Sequence, residues 1–211
     1  MTKANSSTHS TPCNTIEPHT LAVTYTVFDD LKARTKRERT ATWPTIAQLL
    51  ADPPIYPTKA EAPLISFAAY DGTATPKGSL RHKGAITQVF GLEGDYDAED
   101  ITLEQAAETL ARHRIAAVLY ASPSSEAIDW NDVRIRGPRW RIIAPLSQGV
   151  PPEQREHLMA KLNTLLNGIL TPESFRLSQA FYIGRVTEGE PVFKSIILPG
   201  QPIDQALANQ D

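Results

Sequence analysis

The sequence predicts an α/β or α+β domain built around a mixed sheet. Short apolar runs rich in β-branched and aromatic residues alternate with runs that carry helix-start signals, and the order is strand–helix–strand–strand–helix–strand–strand in the second half. The chain has 211 residues, with 41% hydrophobic and 21% charged side chains, which is typical of a globular protein with a substantial core. We expect one domain over residues 20–211.

Residues 1–19 are rich in Ser, Thr and Asn and contain almost no large apolar side chain, so a disordered tail is expected there. The single cysteine, Cys13, excludes a framework of intrachain disulfides and fits a cytoplasmic protein. The start lacks the apolar segment of a signal peptide, and no run of about 18 apolar residues occurs, so no membrane span is expected.

The N-terminal half is less regular than the second half. Residues 29–43 mix cations with acids, which indicates a solvated linker or helix face, or a segment that contacts phosphates. A helix is expected over 42–52, where Thr42 can cap and Pro44 suits the first turn. The other predicted elements are strands over 21–28 and 64–72, a proline-rich connector over 53–63 and a basic Gly/Pro loop over 73–84.

In the second half, a helix over 102–114 is expected because Thr102 can cap and Gln105 follows three residues later, as in a capping box. A second helix is expected over 151–166, after a proline pair. The predicted strands are 85–97, 115–125, 139–147, 178–186 and 192–200.

Five acids crowd the end of the strand over 85–97. In an extended segment, Asp95 and Asp97 point to the same face, and two converging carboxylates suit Mg²⁺ or Mn²⁺. Glu93 could support such a metal from behind, while Glu99 and Asp100 are expected to start the next helix. An alternative is an ordinary acidic turn.

Basic side chains gather in two places. Arg139 and Arg141 share one face of a predicted strand, with Trp140 pointing into the core, and two aligned guanidinium groups can hold phosphates. Arg81 and Lys83 lie in the loop before the acidic strand. Either group could instead be a solvated surface. Two polar residues that enter a predicted buried strand, Ser178 and Gln179, need partners and are further candidates for binding nucleotide or DNA.

The sequence argues against several classes of enzyme. The chain has no Gly-rich phosphate loop, nucleophile elbow or HExxH motif, and its histidines are scattered. The net charge of −3 does not by itself indicate a nucleic-acid-binding protein, although a local basic patch is compatible with it.

The ordered set of segments GLEGDYD, AAVLYASPSS, PRWRIIAPLS and ESFRLSQAFYIG resembles the archaeo-eukaryotic primase superfamily, and among its members the primase–polymerase domains of plasmids and phages. The resemblance extends over about residues 43–204 and is strongest over 91–184. Each motif alone is common, whereas the set in this order is fairly specific.

The resemblance implies roles for individual residues. Asp95 and Asp97 match the metal-binding acid pair of the first motif, and Glu173 is the candidate for the third acid. The second motif of the superfamily is Ser-x-His; here Ser122 matches its serine, and Ser124, or Ser125 with a slip of one residue, stands where the histidine is expected. The strand arginines described above match basic positions that follow this motif.

The resemblance also implies a fold and an activity. The fold would be an RRM-like mixed sheet with flanking helices, divided into a small N-terminal subdomain (20–84) and a catalytic core (85–204). The activity would be metal-dependent primer synthesis from nucleoside triphosphates on single-stranded DNA, with Mg²⁺ or Mn²⁺ and a separate replicative helicase. Because the motif histidine is absent, a catalytically impaired DNA-binding or replication-initiation module is the alternative. A metal-dependent nuclease is a third reading of the same acids.

Overall fold

The computed structural model describes residues 20–129 and 131–208. The tail predicted over 1–19, including Cys13, lies outside the described residues. The strands are β1 Ala22–Phe28, β2 Lys36–Thr42, β3 Ile55–Tyr56, β4 Leu64–Ser66, β5 Ala68–Tyr70, β6 Ile86–Tyr96, β7 Ala117–Ala121, β8 Ile128–Asp129, β9 Arg134–Ile135, β10 Trp140–Val150, β11 Phe181–Tyr182, β12 Arg185–Val186 and β13 Ser195–Leu198. The helices are α1 Trp43–Ala51, α2 Leu103–Arg112, α3 Gln154–Leu165 and α4 Ile203–Ala208.

A five-stranded sheet in the order β13-β7-β10-β6-β5 forms the centre of the fold. The α+β class is confirmed, and the order β6-α2-β7-β10-α3 is the β–α–β–β–α succession of ferredoxin-like folds. Every pairing in this sheet is antiparallel, whereas the sequence predicted mixed pairing. A parallel pair does occur, between β3 and β12 in a separate small sheet.

A four-stranded sheet in the order β11-β4-β1-β2 lies beside the central one. The segment 64–72, predicted as one strand, divides into β4 and β5, which belong to different sheets. Among the described residues, three pairings cross the expected boundary at residue 84: β5 with β6, β11 with β4, and β12 with β3. The division into a subdomain over 20–84 and a core over 85–204 stays a prediction.

Strand β2 corrects the interpretation of residues 29–43 as a linker or helix face. It pairs with β1 along its whole length and forms the edge of its sheet. Most of its side chains are exposed on both faces, so the period-two pattern that identifies a half-buried strand is missing. Charged side chains are common on edge strands because they oppose pairing with other chains.

The central sheet buries a different core on each face. Trp140, Ile142 and Leu119 point to the face covered by α2, α3 and α4. Ile143 and Val118, one residue away along the same strands, point to the face covered by α1 and the four-stranded sheet. Because side chains alternate along a strand, every second residue of β6, β7 and β10 points to the same face as Ile143 and Val118. The candidate functional site lies on this face.

The predictions of α1, α2 and α3 are confirmed in place, and the capping box predicted for α2 is present. The hydroxyl of Thr102 accepts from the Gln105 N–H, and the Gln105 side chain accepts from the Thr102 N–H, which completes the capping box of α2. Helix α1 begins at Trp43 with Pro44 in its first turn, although the Thr42 side chain makes no capping hydrogen bond. None of the helices in the described ranges has the length and apolar character of a membrane span.

Candidate functional site

A cavity of about 410 Å³ opens where β6 and β7 end and β10 begins, beside the β8–β9 hairpin. Six of the predicted site residues line it: Asp95, Asp97, Ser122, Ser124, Arg139 and Arg141. Its charged lining consists of four cations and four acids, which are Lys59, Arg136, Arg139, Arg141, Asp95, Asp97, Asp129 and Glu188. We call this space the charged cavity.

Asp95 and Arg141 lie directly opposite each other on neighbouring antiparallel strands. The Arg141 Nε donates to Asp95 Oδ1 at 3.1 Å, and Nη1 donates to the carbonyl of Tyr182 at 3.2 Å. The guanidinium lies 5.0 Å from the centre of the Phe181 ring, and the residue is only 5% exposed. Tyr120 lies beside it, and burial raises the pKa of that phenol to about 12. Asp95 is therefore held in a fixed orientation.

Asp97 and Arg139 form a looser pair, with 3.7 Å between Asp97 Oδ1 and Arg139 Nη1. Burial and the neighbouring Asp95 carboxylate raise the pKa of Asp97. Two carboxylates that repel each other inside one cavity gain most from a bound cation.

The prediction that Glu99 starts the next helix is wrong, because α2 begins at Leu103. It has a positive φ of 70° and accepts hydrogen bonds from Arg134, Gly137 N–H and Arg139. Hydrogen bonds from Arg134 and from the Gly137 N–H lower the pKa of Glu99 to about 2. Glu99 thus anchors the segment that carries Arg139 at the rim of the charged cavity.

The backbone of Asp95 is fixed from behind by the turn at Pro172–Phe175. The Asp95 N–H donates to Ser174 Oγ at 2.9 Å, and the Asp95 carbonyl accepts from Thr171 N–H at 2.9 Å. The turn can approach because residue 94 is glycine: a Cβ there would lie 2.8 Å from Ile142 and 2.9 Å from Leu170. Close packing at Gly94 therefore sets the position of the first acid.

A buried ion pair supports the same turn. Arg155 donates to Glu93 Oε2 at 3.2 Å and to the Ser174 carbonyl at 3.0 Å, and both charged residues are 2% exposed. The other oxygen of Glu93 accepts from the Phe67 N–H at 2.5 Å. The expectation that Glu93 supports a metal from behind is replaced by this observation, since its oxygens are engaged by Arg155 and the Phe67 backbone.

The serines after β7 divide between two locations. Ser122 and Ser124 line the charged cavity, with 3.2 Å between their hydroxyl oxygens. Ser125 is buried, and its hydroxyl accepts from the Arg139 N–H at 3.0 Å, outside the cavity lining. No histidine is among the described residues that line the charged cavity.

Other predicted site residues are not brought into the charged cavity. The Glu173 carboxylate lies 3.2 Å from Arg176 Nη2, while its neighbour Ser174 makes the contact with Asp95. Arg81 donates to the carbonyls of Ser178 and Leu31. The remaining two are Lys83, which is exposed in a short turn, and Gln179, whose N–H donates to the Arg176 carbonyl. Their proposed roles stay predictions.

Sequence reasoning missed several lining residues. Lys59 lies in a turn of the proline-rich connector, and its ammonium lies 5.0 Å from the centre of the Tyr182 ring. Loss of hydration and the nearby Arg141 lower the pKa of Lys59. Arg136 and Asp129 form a 2.7 Å ion pair across the β8–β9 hairpin. The arginine-rich stretch before β10 was a usable signal for Arg136, but nothing in the connector distinguished Lys59.

The carboxylates of the charged cavity suit a metal ion that is also bound by a ligand better than a metal ion bound by protein side chains alone. The described residues contain no group of three or more His, Cys, Asp or Glu side chains that could hold a metal ion. Two carboxylates, Asp95 and Asp97, do line one cavity beside several cations. Mg²⁺ is often bound by one or two carboxylates, with substrate phosphates and water completing its octahedral shell. The residues present fit that arrangement.

No family model matches the sequence, and no curated protein matches it. The chain is similar to a solved primase–polymerase domain. That structure is the AEP domain (PP-N190) of the primase–polymerase of cyanophage S-2L, with a TM-score of 0.46 and 13% sequence identity over 89% of this chain and 88% of that chain. At this level of likeness, roles for residues have to come from the chain's own geometry.

Proposed function

We propose that this chain is a metal-dependent nucleotidyltransferase of the primase–polymerase type. It would make short primers on single-stranded DNA in plasmid or phage replication, in the cytoplasm and together with a separate replicative helicase. The observation that carries the proposal is the joint placement of Asp95, Asp97, Arg139 and Arg141 in one cavity. The order of the sequence motifs supports it independently.

Asp95 and Asp97 would hold Mg²⁺ or Mn²⁺ together with the phosphates of a nucleoside triphosphate. When bound, the metal lowers the pKa of the attacking 3′-hydroxyl and neutralises phosphate charge. The protein side chains supply positioning and electrostatic stabilisation, so no covalent nucleophile is needed.

Three arginines of the charged cavity would have different roles. Arg141 is committed to Asp95, Tyr182 and Phe181, so it fixes the first carboxylate. Arg139, whose side chain is 21% exposed, and Arg136, at 28%, remain accessible from the cavity and would contact the outer phosphates. Ser122 and Ser124 present hydroxyls to the same space and would donate to phosphate oxygens in place of the motif histidine.

Primer synthesis from labelled nucleotides on single-stranded templates with Mn²⁺ tests the proposal. Asp95→Ala with Asp97→Ala should abolish synthesis, and circular dichroism should show that the variant stays folded although Arg141 loses its partner. The matched control is Glu104→Ala with Glu108→Ala, two exposed acids of α2, which should retain synthesis. Metal-dependent synthesis by the Asp95/Asp97 variant would overturn the assignment.

A DNA-binding or replication-initiation module is the second candidate. One observation favours it. Ser124 occupies the wall of the charged cavity after β7, and no histidine is among the described residues that line this cavity. A folded wild-type protein that binds DNA but makes no product in the same assay would support this candidate. Degradation of the template would instead reveal a nuclease.

A further inference from the structure

A second cavity, of about 160 Å³, adjoins the charged cavity. Three residues, Ser122, Pro123 and Val186, line both spaces. The second cavity is otherwise mainly apolar, with Ile55, Val192 and Phe193 in its wall. A ligand with a charged end and an apolar ring could therefore occupy both cavities at once, across the shared residues. We call this second space the apolar cavity.

The size of the apolar cavity restricts what it can hold. A dry protein cavity of about 150 Å³ binds benzene, so about 160 Å³ suits one planar ring system and not a whole nucleotide. Small-molecule sites are commonly apolar, with a few polar groups that fix orientation. The apolar cavity has this composition, and a ring bound there would be connected directly to the phosphate-binding region.

Arg185 supplies a polar group in the wall of the apolar cavity. Its guanidinium lies 4.7 Å from the centre of the Phe193 ring and pairs with Asp52. Its side chain is 34% exposed, so the guanidinium can donate to a carbonyl oxygen or ring nitrogen of a ligand in this cavity.

We propose that the apolar cavity binds the base of a nucleoside triphosphate whose phosphates lie in the charged cavity. The inference rests on the proposed function, because it assigns the ring of the nucleotide that Arg136 and Arg139 would hold by its phosphates. Ile55 and Val192 contact one side of the base, and the Arg185 guanidinium donates to its edge. The sugar lies against Ser122, Pro123 and Val186.

Isothermal titration of the full chain in Mg²⁺, without template, tests this assignment. The probes are the four common nucleoside triphosphates and inorganic tripolyphosphate. Ile55→Ala with Val192→Ala should weaken the tightest nucleoside triphosphate about fivefold or more, because apolar contact area is lost. The same variant should bind tripolyphosphate like the wild type. Ile55 and Val192 are 64% and 42% exposed, so the variant should fold.

The matched control is Val133→Ala with Ile135→Ala, which removes the same two residue types from exposed positions outside both cavities. It should leave both affinities unchanged. Equal weakening of both probes by the Ile55/Val192 variant, or no weakening of either, would overturn the base site. Wild-type protein that binds neither probe would overturn the proposed function, and the base site with it. Tripolyphosphate binding as tight as that of every nucleoside triphosphate would overturn the base site alone.

Discussion

Arg141 and Asp95 are paired across the central sheet, with 3.1 Å between Nε and Oδ1, at the wall of the charged cavity. Their side chains are 7% and 15% exposed. A salt bridge this deeply buried is costly to break, because removing one partner leaves an uncompensated charge in a poorly hydrated place. The pair therefore contributes to the stability of the fold as well as to the orientation of the candidate metal ligand.

Arg141→Met should lower the free energy of unfolding by about 3 kcal/mol, because it leaves Asp95 without its cation. Urea denaturation measures this change. Arg134→Met is the control: its ion pair with Glu99 is closer, at 2.6 Å, but the arginine is 48% exposed. We expect a loss of less than about 1 kcal/mol there. Equal losses in the two variants would contradict a stabilising role specific to the buried pair.

Arg155 and Glu93 should behave as a coupled pair. Arg155→Met alone should destabilise the protein by about 3–5 kcal/mol, since it leaves Glu93 charged and buried. Adding Glu93→Gln removes that charge and retains an acceptor for the Phe67 N–H, so at least about 1 kcal/mol should return. Urea denaturation of the single and double variants measures the recovery. A double variant less stable than Arg155→Met would refute this coupling.

Glu99 should make stability depend on acid pH. Its pKa is about 2 in the folded protein, against an ordinary value of 4.5, so its contribution is present above pH 4.5 and is lost as the pH falls toward 2. Glu99→Gln should therefore reduce the loss of stability between about pH 6 and about pH 3. Urea midpoints of both proteins at the two pH values give the comparison. An unchanged pH dependence would show that other carboxylates account for it.

The basic loop before β6 should contribute to DNA binding through phosphate contacts. Lys77 and Lys83 are exposed, and no carboxylate of the described residues lies within ion-pair distance of either. Lys77→Gln with Lys83→Gln should weaken binding of single-stranded DNA and reduce the slope of log affinity against log salt by about one unit for each lost contact. Fluorescence anisotropy at several salt concentrations measures both quantities.

Arg112→Gln, at the end of α2, is the control for a general charge effect. It removes an exposed cation from a different element and should leave the salt dependence unchanged. A similar change in both proteins would indicate net charge alone and would remove support for the basic loop.

Local pattern predicted those parts of the site that lie on one strand. Asp95 and Asp97 share a face because of the period-two alternation, and so do Arg139 and Arg141, while Trp140 is buried as expected. Pattern also predicted α2 with its capping box. These features depend on neighbours within a few residues, which a single sequence reveals.

The other parts of the site depend on packing between segments that are far apart in the chain, which a single sequence does not reveal. Lys59 reaches the charged cavity because the strand that follows it, β4, pairs with β11, which lies more than 100 residues later in the sequence. The sequence indicates Glu173 as an acid near the last core strand, whereas the turn that carries it presents Ser174 to Asp95. The sequence predicts that Glu99 starts a helix, whereas arginines from the segment before β10 bind it.

We propose that Asp95 and Asp97 hold a divalent metal together with a nucleotide. A crystal structure with Mn²⁺ and a non-hydrolysable nucleoside triphosphate tests it most directly, because anomalous scattering locates the metal independently of the protein map. We expect Mn²⁺ within coordination distance of both carboxylates and of phosphate oxygens, with Arg139 facing the outer phosphates. A nucleotide bound elsewhere, or Mn²⁺ that coordinates neither aspartate, would contradict it.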